Sequence, residues 1–203
     1  MGSRRVRAYI GLGANLGDAD VTLARAIAGL DTLPGARVRG VSRLYATAPW
    51  GVTDQPDFRN AVVALDVPAG PDPPTGAVTL LTHLKDLERA AGRTTGARWG
   101  PRVLDLDLLI YGRHRINEDR PAGARSLEAE ADPAKAARRL VVPHRDAAKR
   151  LFVLAPLADL APRLVPPGWG EAVETRRRRT EATEPPDAVR PIGAWVDRDG
   201  RWH

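Results

Sequence analysis

The most constraining feature of the sequence is the strict alternation of apolar and acidic residues in Leu104-Asp105-Leu106-Asp107-Leu108. In a β-strand, residues two apart project to the same side. The leucines would therefore face a core, while Asp105 and Asp107 present paired carboxylates on the opposite face. We predict a strand over Leu104 to Tyr111 whose polar face can hold one or two magnesium ions. Taken alone, an Asp-x-Asp pair is also typical of a structural or solvated strand.

The rest of the chain predicts an antiparallel sheet with two helices. Strands are expected where short apolar runs are bounded by turn residues, and helices where leucines recur at helical spacing. The further predicted elements are a strand over Val6 to Leu12, a helix from Asp18 or Asp20 to Pro34, strands over Val38 to Tyr45 and Phe58 to Val67, and a helix capped by Thr75 that ends at Gly92. This order is typical of a ferredoxin-like α+β fold with helices on one face of the sheet.

Length and composition favour one domain with appendages. The chain has 203 residues, of which 43% are hydrophobic, enough for a single core. We expect the domain to span residues 1–170. Residues 121–138 have few large apolar side chains and are predicted to form a surface insertion, and residues 171–203 form an Arg- and Pro-rich C-terminal extension. The sequence leaves open whether Trp195 and Trp202 dock on the domain.

The residue types exclude several classes of protein. The sequence has no cysteine, so disulfides and thiolate metal sites are excluded and a hard ion such as Mg²⁺ is favoured. No apolar run reaches the roughly 18 residues that a membrane span requires, and no leader precedes the first strand. We therefore expect a cytoplasmic protein with no membrane partner.

The net charge of +6, carried mainly by arginine, favours an anionic partner, although a biased genome would give the same excess. One alternative is a nucleic-acid-binding module, suggested by the run Arg176–Arg179. Such modules need a basic face with interleaved aromatic residues, whereas aromatics are 5% of this chain and the run lies in a polar tail. We expect no nucleic-acid partner.

A glycine-rich loop with Arg93, Arg98 and Arg102 directly precedes the two aspartates. Guanidinium groups there would lie close to a metal-bound polyphosphate, and the glycines would let the loop close over a substrate. A solvated basic loop is the alternative. A second glycine-rich segment, Gly11 to Gly17, does not match a dinucleotide-binding motif, because its third glycine falls one position too late. It predicts a turn that closely approaches a ligand or another loop.

Four segments together resemble the 6-hydroxymethyl-7,8-dihydropterin pyrophosphokinase family. They are Tyr9 to Gly17, Asp54 to Asn60, Arg98 to Asp107 and Val142 to Phe152. Taken alone, Phe58, Phe152 and His144 are more typical of core residues than of ligand contacts. The resemblance implies a ferredoxin-like αβα sandwich with a mainly antiparallel sheet. It also implies transfer of diphosphate from ATP to the pterin hydroxymethyl group, AMP as second product, two Mg²⁺ ions and functional coupling to dihydropteroate synthase.

The resemblance also implies roles for individual residues. Asp105 and Asp107 match the metal-binding carboxylates, and together with Arg93 and Arg102 they would form the catalytic group. The residues implied to bind the pterin, with the two phenylalanines stacking on the heterocycle, are Thr47, Ala48, Pro49, Trp50, Phe58, Asn60 and Phe152. The residues implied to bind ATP are Glu88, Trp99, Arg102, His144 and Arg150.

Three positions depart from the family pattern. Lys85 replaces a usual glutamine, Thr95 replaces a loop arginine, and Arg145 replaces an aromatic residue. The departures at Lys85 and Thr95 suggest a second alternative, a catalytically silent relative.

Overall fold

The computed structural model describes residues 4–49, 54–92, 101–120 and 138–203. Its centre is a six-stranded sheet in which every pairing is antiparallel. The order is β5-β1-β4-β3-β8, with β2 also paired to β4. The strands are β1 Arg5–Ala14, β2 Arg37–Val41, β3 Leu44–Thr47, β4 Phe58–Pro68, β5 Asp105–Tyr111 and β8 Val189–Gly193. The mainly antiparallel sheet of the predicted fold class is confirmed.

Two two-stranded antiparallel sheets and four α-helices complete the described structure. One sheet pairs β6 (Ile116–Asp119) with β7 (Arg138–Val142), and the other is a short hairpin of β9 (Trp195–Val196) and β10 (Arg201–Trp202). The helices are α1 Ala19–Asp31, α2 Pro73–Ala90, α3 Leu151–Leu160 and α4 Val173–Glu181, and a 3-10 turn spans Ala147–Lys149. The predicted insertion at 121–138 lies outside the described residues except for Arg138, which begins β7.

The first two helices cover one face of the sheet. Leu23 and Leu30 of α1 and Leu84 of α2 are fully buried in the main core, with Ile10 and Leu106 of the sheet. The Asp18 carboxylate, one of the two predicted starts, caps α1 and accepts a hydrogen bond from the Val21 amide at 3.1 Å. This layer is the one that the alternation in β1 and β5 requires.

Helix α2 begins earlier than predicted. Asp72, and not Thr75, is the N-cap, and its carboxylate accepts a hydrogen bond from the Thr75 amide at 2.8 Å. Aspartate is a strong capping residue. Pro73 and Pro74 fit the first helical turn because an amide N–H at those positions would have no acceptor within the helix.

The strand predicted over Val38 to Tyr45 is two strands. The break falls at Ser42, whose hydroxyl oxygen accepts a hydrogen bond from the Val62 amide at 2.9 Å, in place of a backbone carbonyl. The register of β2 also shifts between Val38 and Gly40. As a result β2 and β3 pair with the same edge of β4 but at separate places.

Helix α3 covers the opposite face. Its Leu157 and Ala158 pack in a second cluster with Val62 of β4 and Leu109 of β5. The prediction of helices on one face only is therefore wrong. It was drawn from the order of elements up to β5, whereas α3 and α4 come later in the chain. The αβα sandwich implied by the resemblance is confirmed.

The C-terminal residues pack onto this frame. β8 pairs with β3, Val173 at the start of α4 is fully buried, and Trp202 donates its indole N–H to the Ser42 carbonyl at 2.9 Å. Trp195 and Trp202 therefore dock on the domain, a point that the sequence left open. Within the described ranges, none of the helices combines the length and apolar character that crossing a membrane requires.

Candidate active site

One row of residues crosses four strands on the face that α3 covers. Asp105 of β5 is paired with Gly13 of β1, Gly13 with Asn60 of β4, and Asn60 with Tyr45 of β3. Directly paired residues in antiparallel strands project to the same face. The carboxylate and the amide therefore share one surface, about 10 Å apart because two strand spacings separate them.

The flanking residues extend this surface in both directions. Asp107 is paired with Gly11, and Phe58 with Thr47, so these side chains lie on the same face as Asp105 and Asn60. Glycine at positions 11 and 13 keeps β1 free of side chains there. A Cβ on Gly13 would lie 3.4 Å from the Asn60 Oδ1 atom, so the glycine leaves an open floor between the carboxylate and the amide.

Arg102 lies beside the first aspartate. Its Nη1 atom is 3.1 Å from Asp105 Oδ2, and each side chain is about a quarter exposed. The pair therefore stays accessible to a ligand. The predicted catalytic residues Arg102, Asp105 and Asp107 are thus brought together, whereas the fourth, Arg93, and the predicted ATP-binding residue Trp99 lie outside the described residues.

Asn15 forms hydrogen bonds to segments on both sides of the site. It was not predicted as a site residue. Its Oδ1 atom accepts a hydrogen bond from the Arg102 amide at 2.7 Å, and its Nδ2 atom donates to Gln55 Oε1 at 2.9 Å and to the Pro56 carbonyl at 3.1 Å. The side chain is buried, with 3% of its surface exposed. The signal in the sequence was an asparagine inside the glycine-rich turn, because buried backbone N–H and C=O groups beside such a turn need hydrogen-bond partners.

Glu88 supports the strand that carries the aspartates. It is buried, and its carboxylate accepts hydrogen bonds from the Leu106 amide at 2.7 Å and from Lys85 Nζ at 2.8 Å. Leu106 stands between Asp105 and Asp107, so these contacts fix the backbone between the two acids. Lys85, one of the departures from the family pattern, supplies positive charge to this buried carboxylate.

Several of the predicted pterin residues lie at or beside the end of β3, and Phe152 lies in the first turn of α3. Asn60 is buried and donates its amide to Thr47 Oγ1 at 3.0 Å. Ala48 and Pro49 follow directly, and Trp50 lies outside the described residues. Phe58 and Phe152 are partly exposed, unlike the fully buried leucines of the core. An aromatic face left in contact with solvent is suited to stacking on a flat ring.

Three polar residues join β3 to α3 behind this end of the site. Asp159 of α3 accepts hydrogen bonds from Arg43 Nη2 at 2.7 Å and from the Tyr45 hydroxyl at 3.0 Å. Burial, with the nearby Asp159 charge, raises the pKa of Tyr45 well above its usual value, so the hydroxyl stays protonated and donates. This network fixes the separation of the strand and the helix.

The predicted nucleotide residues His144 and Arg150 flank the 3-10 turn. The His144 amide donates to the Leu109 carbonyl at 2.8 Å, which places this residue beside β5. Arg150 pairs with Asp146 at 3.1 Å, and its guanidinium carbon lies 5.8 Å from the centre of the Phe152 ring. Arg150 therefore borders the predicted stacking residue.

The donor set at Asp105 and Asp107 fits Mg²⁺. Both side chains offer carboxylate oxygens, the ligands that this ion prefers. Among the residues that the structure describes, no group of three or more acidic, histidine or cysteine side chains could enclose a metal. Two aspartates fill only part of the octahedral shell of Mg²⁺, so a metal held by them would keep positions for water and phosphate oxygens.

Comparison with known proteins identifies relatives over most of the chain. The profile of the 7,8-dihydro-6-hydroxymethylpterin-pyrophosphokinase (HPPK) family matches residues 9–162. The chain is similar to the 2-amino-4-hydroxy-6-hydroxymethyldihydropteridine pyrophosphokinase of Methylorubrum extorquens, with 42% identity over 159 residues, 78% of this chain and 85% of the relative. It is also similar to the mitochondrial folate synthesis bifunctional protein of Arabidopsis thaliana, with 40% identity over 151 residues, 74% of this chain and 23% of the relative.

A solved structure shares the fold. It is the HPPK-DHPS triple mutant of Plasmodium falciparum with pteroate, with a TM-score of 0.70 and 14% identity over 99% of this chain and 48% of that chain. This chain thus spans about half the length of that protein. At such identity the likeness concerns the fold, and membership follows from the profile and the bacterial relative. The chain belongs to the 7,8-dihydro-6-hydroxymethylpterin-pyrophosphokinase family.

Proposed function

We propose that this chain, a pyrophosphokinase of folate biosynthesis, transfers diphosphate from ATP to the hydroxymethyl group of 6-hydroxymethyl-7,8-dihydropterin and releases AMP. The observation that carries the proposal is the shared sheet face of Asp105, Asp107 and Asn60. It sets an acidic pair suited to a metal-bound polyphosphate about two strand spacings, or about 10 Å, from an amide suited to a heterocycle.

Asp105 and Asp107 would hold Mg²⁺, with two ions expected. Bound there, the metal would neutralise phosphate charge and orient the diphosphate for displacement. Arg102, already beside Asp105, would turn toward the phosphates when ATP binds, joined by Arg93 of the loop. Guanidinium groups suit this task because their forked N–H donors match phosphate oxygens.

The pterin would lie on the floor left open by Gly13. Asn60, oriented by Thr47, would hydrogen-bond the heterocycle, and Phe58 and Phe152 would stack on it. Ala48, Pro49 and Trp50 would border the ring. The partial exposure of both phenylalanines supports this assignment over a purely core role.

ATP would contact His144, Arg150 and Trp99 as well as Arg102. For Glu88 we propose an indirect part at the nucleotide side. Its carboxylate is engaged with Leu106 and Lys85, so it would act by fixing the strand that carries the two aspartates.

The reaction would proceed by in-line attack of the hydroxymethyl oxygen on the β-phosphorus of ATP. The O–P bond to the β-phosphorus forms as the bond between that phosphorus and the bridging α,β-oxygen breaks, AMP leaves, and the hydroxyl proton passes to solvent. We assign no general base. Positioning and electrostatic stabilisation supply most of the rate enhancement in phosphoryl transfer.

Dihydropteroate synthase would catalyse the step that follows this reaction. The Arabidopsis relative is named a bifunctional protein of folate synthesis, and the Plasmodium structures join HPPK to DHPS in one chain. We propose functional coupling to such an enzyme, which consumes the pterin diphosphate.

A nucleic-acid-binding function is not favoured by the arginine run. All four arginines lie on or beside α4 within ion-pair distance of a glutamate: Arg176 and Arg179 of Glu171, Arg177 of Glu174 and Glu181, and Arg178 of Glu174. Three glutamates thus neutralise most of the charge of the four arginines, and a partly neutralised run attracts a polyanion less strongly.

The deciding experiment incubates the protein with ATP, Mg²⁺ and the pterin and separates the nucleotides by chromatography. AMP should form in equal amount to the pterin diphosphate, and neither should form without Mg²⁺. Exclusive formation of ADP would refute diphosphoryl transfer. Absence of turnover in a folded protein would favour the catalytically silent relative.

A further inference from the structure

We propose that the C-terminal strand β8 positions the pterin-binding end of the site, with Val189 and Arg190 as the positioning residues. The strand lies beyond residue 162, where the family profile ends. The inference rests on the proposed pterin-binding role of Thr47 and Phe58.

The backbone of β8 meets β3 where the site begins. Val189 is paired with Thr47, and Arg190 with Ala46. β3 has only four residues, and without β8 it would be an edge strand with unpaired backbone groups on its outer side. By pairing with it, β8 makes β3 an internal strand and fixes the direction in which the chain leaves Thr47.

The Val189 side chain connects the supports of two pterin residues. It is partly buried and packs against the small cluster formed by Tyr45, Leu151 and Ala155. Tyr45 lies on β3 two residues before Thr47, and Leu151 directly precedes Phe152. Contact with this cluster therefore constrains Thr47 and the stacking phenylalanine together.

Arg190 reaches the other end of the loop that follows β3. Its Nη2 atom lies 3.3 Å from Asp57 Oδ2, next to Phe58. Both side chains are substantially exposed, so the pair adds little to overall stability. Its effect is local, because it holds the residue before Phe58 against a fixed strand.

The strand itself is anchored at its far end. After β8 the chain forms the β9–β10 hairpin, where the Trp195 and Trp202 rings meet edge to face with centroids 4.8 Å apart. Both tryptophans pack against the main core, and Trp202 is hydrogen-bonded to the Ser42 carbonyl. β8 is therefore a fixed reference for the loop.

The test compares KM values for pterin and for ATP in the full-length chain. Arg190→Asp should raise the pterin KM about two- to fivefold, the range expected when an exposed ion pair is lost. The ATP KM should change by less than about twofold, and Asp57→Arg combined with Arg190→Asp should restore the pterin KM. Arg198→Asp is the matched control, since Arg198 forms an exposed pair with Asp199 in the same segment, and it should leave both KM values unchanged.

A second variant tests the packing contact. Val189→Thr keeps the side-chain shape but weakens the apolar contact, and it should again raise the pterin KM selectively. Unchanged pterin KM in both Arg190→Asp and Val189→Thr would overturn the inference, as would equal rises in both KM values. Absence of AMP from the unaltered chain would instead refute the proposed function on which it rests.

Discussion

Asn15→Ala should damage both halves of the site at once. The substitution removes three side-chain hydrogen bonds, to the Arg102 amide, to Gln55 and to the Pro56 carbonyl. At roughly 0.5–1.5 kcal/mol each, with the Arg102 amide left unsatisfied, the loss is about 2–4 kcal/mol of unfolding free energy. For a chain of this size that corresponds to a fall of roughly 5–15 °C in thermal midpoint.

The kinetic consequence follows from what the bonds connect. One tethers the residue that pairs with Asp105, and the other two tether the segment before Phe58. Asn15→Ala should therefore raise the KM for ATP and for pterin together. Steady-state kinetics at saturating second substrate, with calorimetry on the same preparation, measure both effects.

Asn15→Asp separates the two connections. A carboxylate still accepts from the Arg102 amide but no longer donates to Gln55 and Pro56, so the pterin KM should rise more than the ATP KM. If Asn15→Ala leaves thermal midpoint and both KM values unchanged, Asn15 does not tie the site together and the reasoning fails.

Three further predictions concern the metal, the heterocycle and acid stability. Asp105→Ala and Asp107→Ala should each reduce turnover by roughly 10³ with little change in thermal midpoint, because two close carboxylates repel without metal; near-normal turnover would refute the metal role. Phe58→Ala should raise the pterin KM about tenfold in kinetics and leave the ATP KM unchanged, whereas an equal rise would indicate a core role. Hydrogen bonding from Arg177 lowers the pKa of Glu174 to about 2 from 4.5, so its stabilisation is complete above pH 4.5 and is lost as pH falls toward 2. Thermal midpoints of the parent and of Glu174→Gln should differ at pH 6 and converge near pH 2; a constant difference would contradict this.

The parts of the fold that could be predicted are those set by local patterns. The alternation in β1 and β5 and the helical spacing in α1 depend on a buried face that each segment carries in its own sequence. The break at Ser42 depends on a hydrogen bond to Val62, twenty residues away, which no local pattern reveals. The same holds for β8, whose sequence contains Pro191 and exposed residues, and which becomes a strand by pairing with β3.

The candidate site could be predicted in its residue types more than in its connections. The acid pair follows from its spacing and Asn60 from the family resemblance, and pairing through Gly13 brings them onto one face. That Glu88 would be buried against Leu106 depends on the packing of α2 against β5. The arginine run was interpreted as a polar tail because it lacks the apolar periodicity that indicates a packed helix, although Glu174 and Glu181 lie at helical spacing from Arg177 and form ion pairs with it.

The side-chain-free position at Gly13 suggests how this protein could lose affinity for a planar inhibitor without losing stability. An added methyl group would meet the Asn60 oxygen at 3.4 Å, a distance that the neighbouring protein tolerates with little adjustment. Alanine is also less costly than glycine within a strand, by about 0.5–1 kcal/mol. The methyl group would occupy the floor on which the heterocycle is proposed to rest. Resistance arising at residue 13 would therefore escape any screen that detects variants by their instability.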